Sequence, residues 1–323
     1  MTDPSPPSHL HLVLRRGLMD DDRRVCLSQL EEQGLTMRRI FDYEDPSLVR
    51  DPNSLGGRQD QDPVTIISQE CGAEEKEVSV SPVLGTSYLA RNHLYDIYLA
   101  TLTYPNLISP SSNQQVSRKV VVQLTSPQSF PDSSPRFRPA YCDQLERFSS
   151  TQAEIAVERE SWFYQRYGPI IRRYEDIIPD HLGTYHARVP TREGSSVNVD
   201  LYALVVVDPG ELLGDGWDSI HHSTVDTDIW LKVYDAYDLL HHKNIIHNTE
   251  LVALNIFYDK QKDKVRISNF YDVLVDDDGA QPGKESQDIR RMKLRGEKAR
   301  IERCRRGIAA RRGRELQGGH GEI

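Results

Sequence analysis

The chain has 323 residues, 37% hydrophobic and 28% charged, with a formal net charge of −9 and a mean hydropathy of −0.59. It contains no run of about 18 apolar residues, and its start, Met1 to Pro7, lacks the basic and apolar regions of a secretory leader. The expectation is an intracellular protein, cytoplasmic or nuclear, without a helical membrane span.

Four cysteines, Cys26, Cys71, Cys142 and Cys304, lie far apart without a C-x-x-C pair. They read as free thiols rather than a disulfide framework or a zinc ribbon. Adjacent histidines (His221 and His222, His241 and His242) lack nearby cysteines and read as surface or helix-end residues, not zinc ligands.

Residues 1–60 are expected to be a flexible extension: a Pro/Ser start, an amphipathic stretch around Asp20 to Gln33, and a turn-rich segment from Asp51 to Gly57. A β-rich unit follows over 61–210. Its short runs rich in Val, Ile, Leu and Tyr, Val78–Leu84, Leu94–Leu102, Val116–Leu124 and Val199–Val207, predict strands. Between the third and fourth, Thr151 to Tyr167 predicts a helix capped by Ser149, Ser150 or Thr151. Ala153, Ala156, Val157, Glu160, Tyr164 and Tyr167 share one face of it, so a carboxylate rides on the apolar side.

The next unit, 211–280, opens on a predicted helix over Thr227–His242, with Trp230, Val233, Tyr234, Tyr237 and Leu240 as its buried stripe and Asp226, Thr227 or Asp228 at its start. This helix leads into Ile245-Ile246-His247-Asn248-Thr249-Glu250. A strand pair, Ile256–Tyr258 and Val265–Ile267, follows across a polar turn, and then comes Asn269-Phe270-Tyr271.

Glu250 and Asn255 keep the five-residue spacing of the acid and the asparagine in H-R-D-L-x-x-x-N, and Asn269-Phe270-Tyr271 stands where D-F-G belongs. With Val120-Val121-Val122-Gln123 in place of V-A-I-K, the order of motifs resembles the protein kinase-like superfamily, in wording closest to the divergent kinase-like proteins of fungi. The resemblance implies an α+β, two-lobed fold: a small β-rich lobe with one helix, and a truncated, mainly helical lobe without an A-P-E-like segment.

It also implies roles by position. Gln123 takes the place of the phosphate-binding lysine, and Glu160 that of its helix partner. Gly85 would serve the phosphate loop, and Val207 and Asp208 the adenine hinge. Glu250 stands at the base position, with Asn255 and Asn269 as ligands of magnesium held by ATP. An alternative register stays open, because His247 lies one residue before the motif histidine's place. Aligning it there puts Thr249 on the aspartate position.

Three of the positions that phosphoryl transfer uses are changed. Glutamine supplies no cation, asparagine no anion, and Glu250 is one methylene longer than aspartate. The expectation is therefore a degenerate pseudokinase that works by binding a protein partner. The alternatives are a weakly active ATP-dependent kinase of a protein or small molecule, and a basic-tailed nuclear adaptor.

The last of these rests on charge. Residues 284–315 carry +8 and the remainder −17. The tail, 281–323, reads as a solvated, partly helical segment suited to acidic protein, nucleic acid or the import machinery.

Overall fold

The computed structural model describes residues 9–12, 35–40, 87–91, 94–105, 115–130, 148–190, 198–207, 209–214, 226–248, 253–275 and 284–318. The predicted strand at 78–84, the helix at 20–33 and the linker at 51–57 lie outside them.

The described residues form an α+β fold built on an antiparallel sheet and four helices. Seven strands, β1 (His9–Leu12), β2 (Leu35–Ile40), β3 (Ser87–Arg91), β4 (Asp96–Pro105), β5 (Gln115–Thr125), β6 (Asp180–Pro190) and β7 (Asn198–Val207), lie in the order β1-β2-β6-β7-β5-β4-β3. The interior strand β5 is zipped to β4 from Asp96↔Leu124 to Pro105↔Gln115, and to β7 from Val120↔Val207 to Thr125↔Tyr202.

Both faces of this sheet are apolar. Ile97, Val121, Leu204 and Val206 pack toward the helices, whereas Tyr98, Val120, Val122, Ala203 and Val205 join a second core with Leu10, Leu12 and Met37. Burial on two sides is the reason 120–122 and 203–207 read as unbroken apolar runs instead of alternating. Strands β1 and β2 come from the segment expected to be a flexible extension.

Helix α1 (Ser150–Arg166) starts at a capping box. The Ser149 hydroxyl accepts from the Gln152 amide at 3.2 Å, while the Gln152 side chain accepts from the Ser149 amide at 2.9 Å. Of its predicted stripe, Ala153, Ala156, Val157, Glu160 and Tyr164 are buried. A short helix, α2 (Gly168–Tyr174), follows, with Pro169 in its first turn.

Helix α3 (Thr227–His242) has the predicted bounds, is capped by the Asp226 carboxylate on the Asp228 amide, and buries Trp230, Val233, Tyr234, Tyr237 and Leu240. The short strand β8 (Glu211–Leu212) pairs with β10 (Ile256–Asp259), itself hairpinned to β11 (Lys264–Ile267). Strand β9 (Ile245–Ile246) pairs with β12 (Leu274–Val275).

The turn between β7 and β8 needs glycine. Gly210 has φ +101°, and a Cβ there would lie 2.6 Å from the Tyr258 carbonyl. Beside it Arg266 is buried and forked onto Asp176 (3.0 and 2.8 Å), with a third bond to Pro209 O at 3.2 Å. One guanidinium thus pins the α2–β6 connection, the turn after β7, and the β10–β11 hairpin.

Helix α4 (Lys284–Gly318) is not simply a solvated tail. Glu297, Ile301 and Ile308 are buried, and Arg305 pairs with Asp235 and Asp238 of α3, each at 2.8 Å. Among the described residues no helix is long and apolar enough to cross a membrane.

Candidate functional site

Four residues singled out by sequence come from four different elements: Gln123 from β5, Glu160 from α1, Asn255 from the 3₁₀ turn Ala253–Asn255, and Asn269 from the loop after β11. All are closed to solvent, with exposures of 0, 0, 3 and 0%.

Asn255 and Asn269 are brought into contact. The Ser268 amide and hydroxyl both donate to Asn255 O, at 2.8 and 3.1 Å, and this clasp sets the next residue against the turn. Asn269 takes a left-handed φ of 66°, tolerable for asparagine. Its Nδ2 donates to Asn255 Oδ1 at 2.5 Å. The oxygen that would face a cation is therefore taken up by a neutral amide.

Phe270, next in the chain, is tied to α1 in two ways. Its amide donates to Glu160 Oε1 at 2.9 Å, and its ring stacks on Phe163 with centroids 4.1 Å apart. Burial pushes the Glu160 carboxyl up to about 7, against hydrogen bonds from Phe270, Tyr95 and the Asn269 amide that favour its charged form.

Gln123 lies on the helix-facing side of β5 between Ile97 and Leu204, and neither its Oε1 nor its Nε2 has a hydrogen-bond partner among the described residues. Lys119, on the same face of the strand, is exposed, and its charge acts on Glu211.

His247 joins the loop after β11 to α3. Its Nε2 meets Ser268 O at 2.8 Å and its Nδ1 the Tyr237 hydroxyl at 2.8 Å. A carbonyl only accepts, so Nε2 carries the proton and Nδ1 accepts from tyrosine. Burial holds this imidazole down to about 4, which keeps it neutral.

Glu297 is the functional-site residue that sequence reasoning passed over. From α4 it reaches the start of the loop that leads to Glu250: Oε2 accepts from the Asn248 amide at 2.8 Å, and Oε1 accepts from the His247 amide at 3.4 Å and bonds His241 Nε2 at 2.7 Å. Asn248, at φ 58°, passes the connection on through its Nδ2 to Asp272 at 2.6 Å.

Glu250, Gly85 and Asp208 lie outside the described residues. Val207 is buried at the end of β7, paired with Val120 and Asp180.

No protein-family model matches the chain, and no curated protein matches it. Among solved structures it is similar to the bifunctional kinase-methyltransferase WbdD, with a TM-score of 0.28 and 14% identity over 53% of this chain and 33% of that one. The chain spans about a third of that protein's length. At that score the likeness carries no argument.

The described residues at the motif positions are poorly matched to magnesium and a triphosphate. Two amides and a glutamine contribute no charge, whereas magnesium between phosphates is held by carboxylates and the phosphates by a fixed cation. Among the described residues no group of three or more His, Cys, Asp or Glu side chains is arranged to hold a metal ion.

Proposed function

We propose that this chain is a protein kinase-like domain protein that acts by binding a partner rather than by transferring phosphate. The observation that carries the reading is the amide pair: Asn269 donates into Asn255 Oδ1 at the two positions where the motif would place metal ligands. Glu160 supports it, since its carboxylate accepts from the Phe270 amide instead of holding a cation, and the strand position that the motif gives to the lysine is the neutral Gln123. Charge at the reacting phosphates is the main tool of this chemistry, and Gln123 and Asn269 do not supply it.

The test is thermal unfolding with ATP, with and without magnesium. A ligand at a hundred times its Kd stabilises the folded state by about 2.7 kcal/mol, or roughly 5–10 °C for a domain of this size. The expected result is a shift below about 1 °C in either condition. A magnesium-dependent shift of several degrees, with phosphate release that Glu250→Ala abolishes, would overturn the reading.

A further inference from the structure

Helix α4 divides its residues by face. Leu294, Glu297, Ile301, Cys304 and Ile308 recur at steps of 3, 4, 3 and 4, which places them on the side that meets α3, where Glu297, Ile301 and Ile308 are buried. The other side is exposed and carries Arg291, Arg295, Lys298, Arg303 and Arg306. Arg291 and Arg306 lean on Asp288 and Glu302 of their own helix, at 3.6 and 3.0 Å; exposed pairs of this kind are weak and yield to a stronger anion. Among the described residues Arg295, Lys298 and Arg303 make no ion pair.

Gly296 lies at the margin of that face, in line with Arg303 two turns on, and a Cβ there would meet nothing within 4 Å. A mid-helix glycine costs about 1 kcal/mol relative to alanine, and here no neighbour among the described residues requires it. What it does provide is a gap in the side-chain surface through which another backbone can approach the helix.

We propose that the outward face of α4 docks on the phosphate backbone of duplex nucleic acid, with Gly296 at the point of closest approach. The charge division favours this occupant: residues 284–315 carry +8 against −17 elsewhere, so a polyanion is attracted to α4 and repelled by the rest. From Arg291 to Arg306 the helix rises about 22 Å, the length of about six phosphates of one strand. The face holds no aromatic residue, which leaves phosphates rather than bases as the contact. A membrane surface fits less well, because the main apolar stripe of α4, Ile301 and Ile308, is buried against α3, and among the described residues the outward side exposes only Ile289 and Met292 as large apolar side chains among its cations. This inference stands apart from the pseudokinase reading and does not depend on it.

The full chain is titrated against a fluorescent DNA duplex of about 30 base pairs, and against the RNA duplex of the same sequence, at several salt concentrations. Four phosphate contacts give a slope of log K on log salt near −3.6, so raising salt from about 50 to about 200 mM weakens binding about 100-fold. In the triple variant R295Q/K298Q/R303Q the slope becomes shallower by about 2.7. Gly296→Leu keeps every charge and helical order, checked by circular dichroism, and weakens binding at least about fivefold by blocking close approach. Binding absent at about 100 µM protein and low salt, or unchanged in the triple variant, overturns the proposal. So does tighter binding to phosphatidylserine-rich vesicles, or equal competition by polyglutamate at matched charge.

Discussion

Glu297 and His241, 56 residues apart in sequence, meet through a 2.7 Å hydrogen bond in a buried contact between α4 and α3. The same carboxylate accepts the His247 and Asn248 amides, so one side chain fastens the last helix to the loop that runs toward Glu250. Burial opposes its ionisation, but the hydrogen bonds from His241 and the Asn248 amide hold the Glu297 pKa below the usual carboxylate value.

Glu297→Gln turns an acceptor of three donors into a group whose own Nε2 must face one of them. A loss of about 2 kcal/mol in unfolding free energy is expected by urea titration at pH 7. The wild-type advantage is present above the unfolded carboxylate value and disappears as pH falls through the depressed folded value. Equal urea midpoints for the two proteins at pH 7 would mean that the carboxylate does not hold α4.

Glu160 works with the opposite sign. Folded, it keeps its proton up to about 7, while the unfolded chain releases it near 4.5. The folded state therefore binds the extra proton across that window, and the stability this group contributes falls as pH rises through it, by about 3 kcal/mol in all. His247, depressed to about 4, pulls the other way over an overlapping range, since the unfolded chain binds its proton first. Comparing Glu160→Gln with wild type at each pH isolates the carboxyl, because the variant keeps an acceptor for the Phe270 amide. The variant is expected to match wild type near pH 4.5 and to exceed it by about 3 kcal/mol at pH 8. A constant difference at every pH would contradict this.

Gly210 and Gly296 make a pair of predictions with opposite signs from one substitution. Alanine at 210 forces a side chain into a φ of +101° and within 2.6 Å of the Tyr258 backbone, so a loss of about 2 kcal/mol or more is expected. Alanine at 296 meets open space in a helix and should gain about 1 kcal/mol. Thermal melts of the two variants check both signs.

Helix α3 was legible residue for residue because its cap, its period and its histidine end agree with one another. The β10–β11 hairpin, β5 and β7 were legible for a similar reason, each an apolar run bounded by turn residues. Strand β6 was not. His181, Gly183, His186 and Arg188 spoil its pattern, and it exists because β7 pairs with it from Asp180↔Val207 to Pro190↔Asn198. At the candidate site, motif order and spacing singled out Asn255 and Asn269, and helical period singled out Glu160, but their contacts depend on the Ser268 clasp and on Phe270. Glu297 sits in a run of charges that looks solvated, and only its helical step from Ile301 signals an inward position. Arg266 was hidden similarly, as one charge in a short polar hairpin whose partner, Asp176, lies 90 residues away.

Gln123 offers the sharpest test of whether the closed site is a finished core. Its side chain is wholly buried, flanked by Ile97 and Leu204, and both polar atoms lack partners among the described residues. An amide without hydrogen bonds costs about 1–3 kcal/mol in a protein interior, and leucine has nearly the same volume. If β5 carries Gln123 only as an inherited position, Gln123→Leu should raise stability by about 1 kcal/mol or more in urea. If the amide holds a bound molecule, leucine should destabilise the protein instead, by more than its packing gain. The sign of that single measurement separates a core that has closed over an abandoned position from one that still has a use for it.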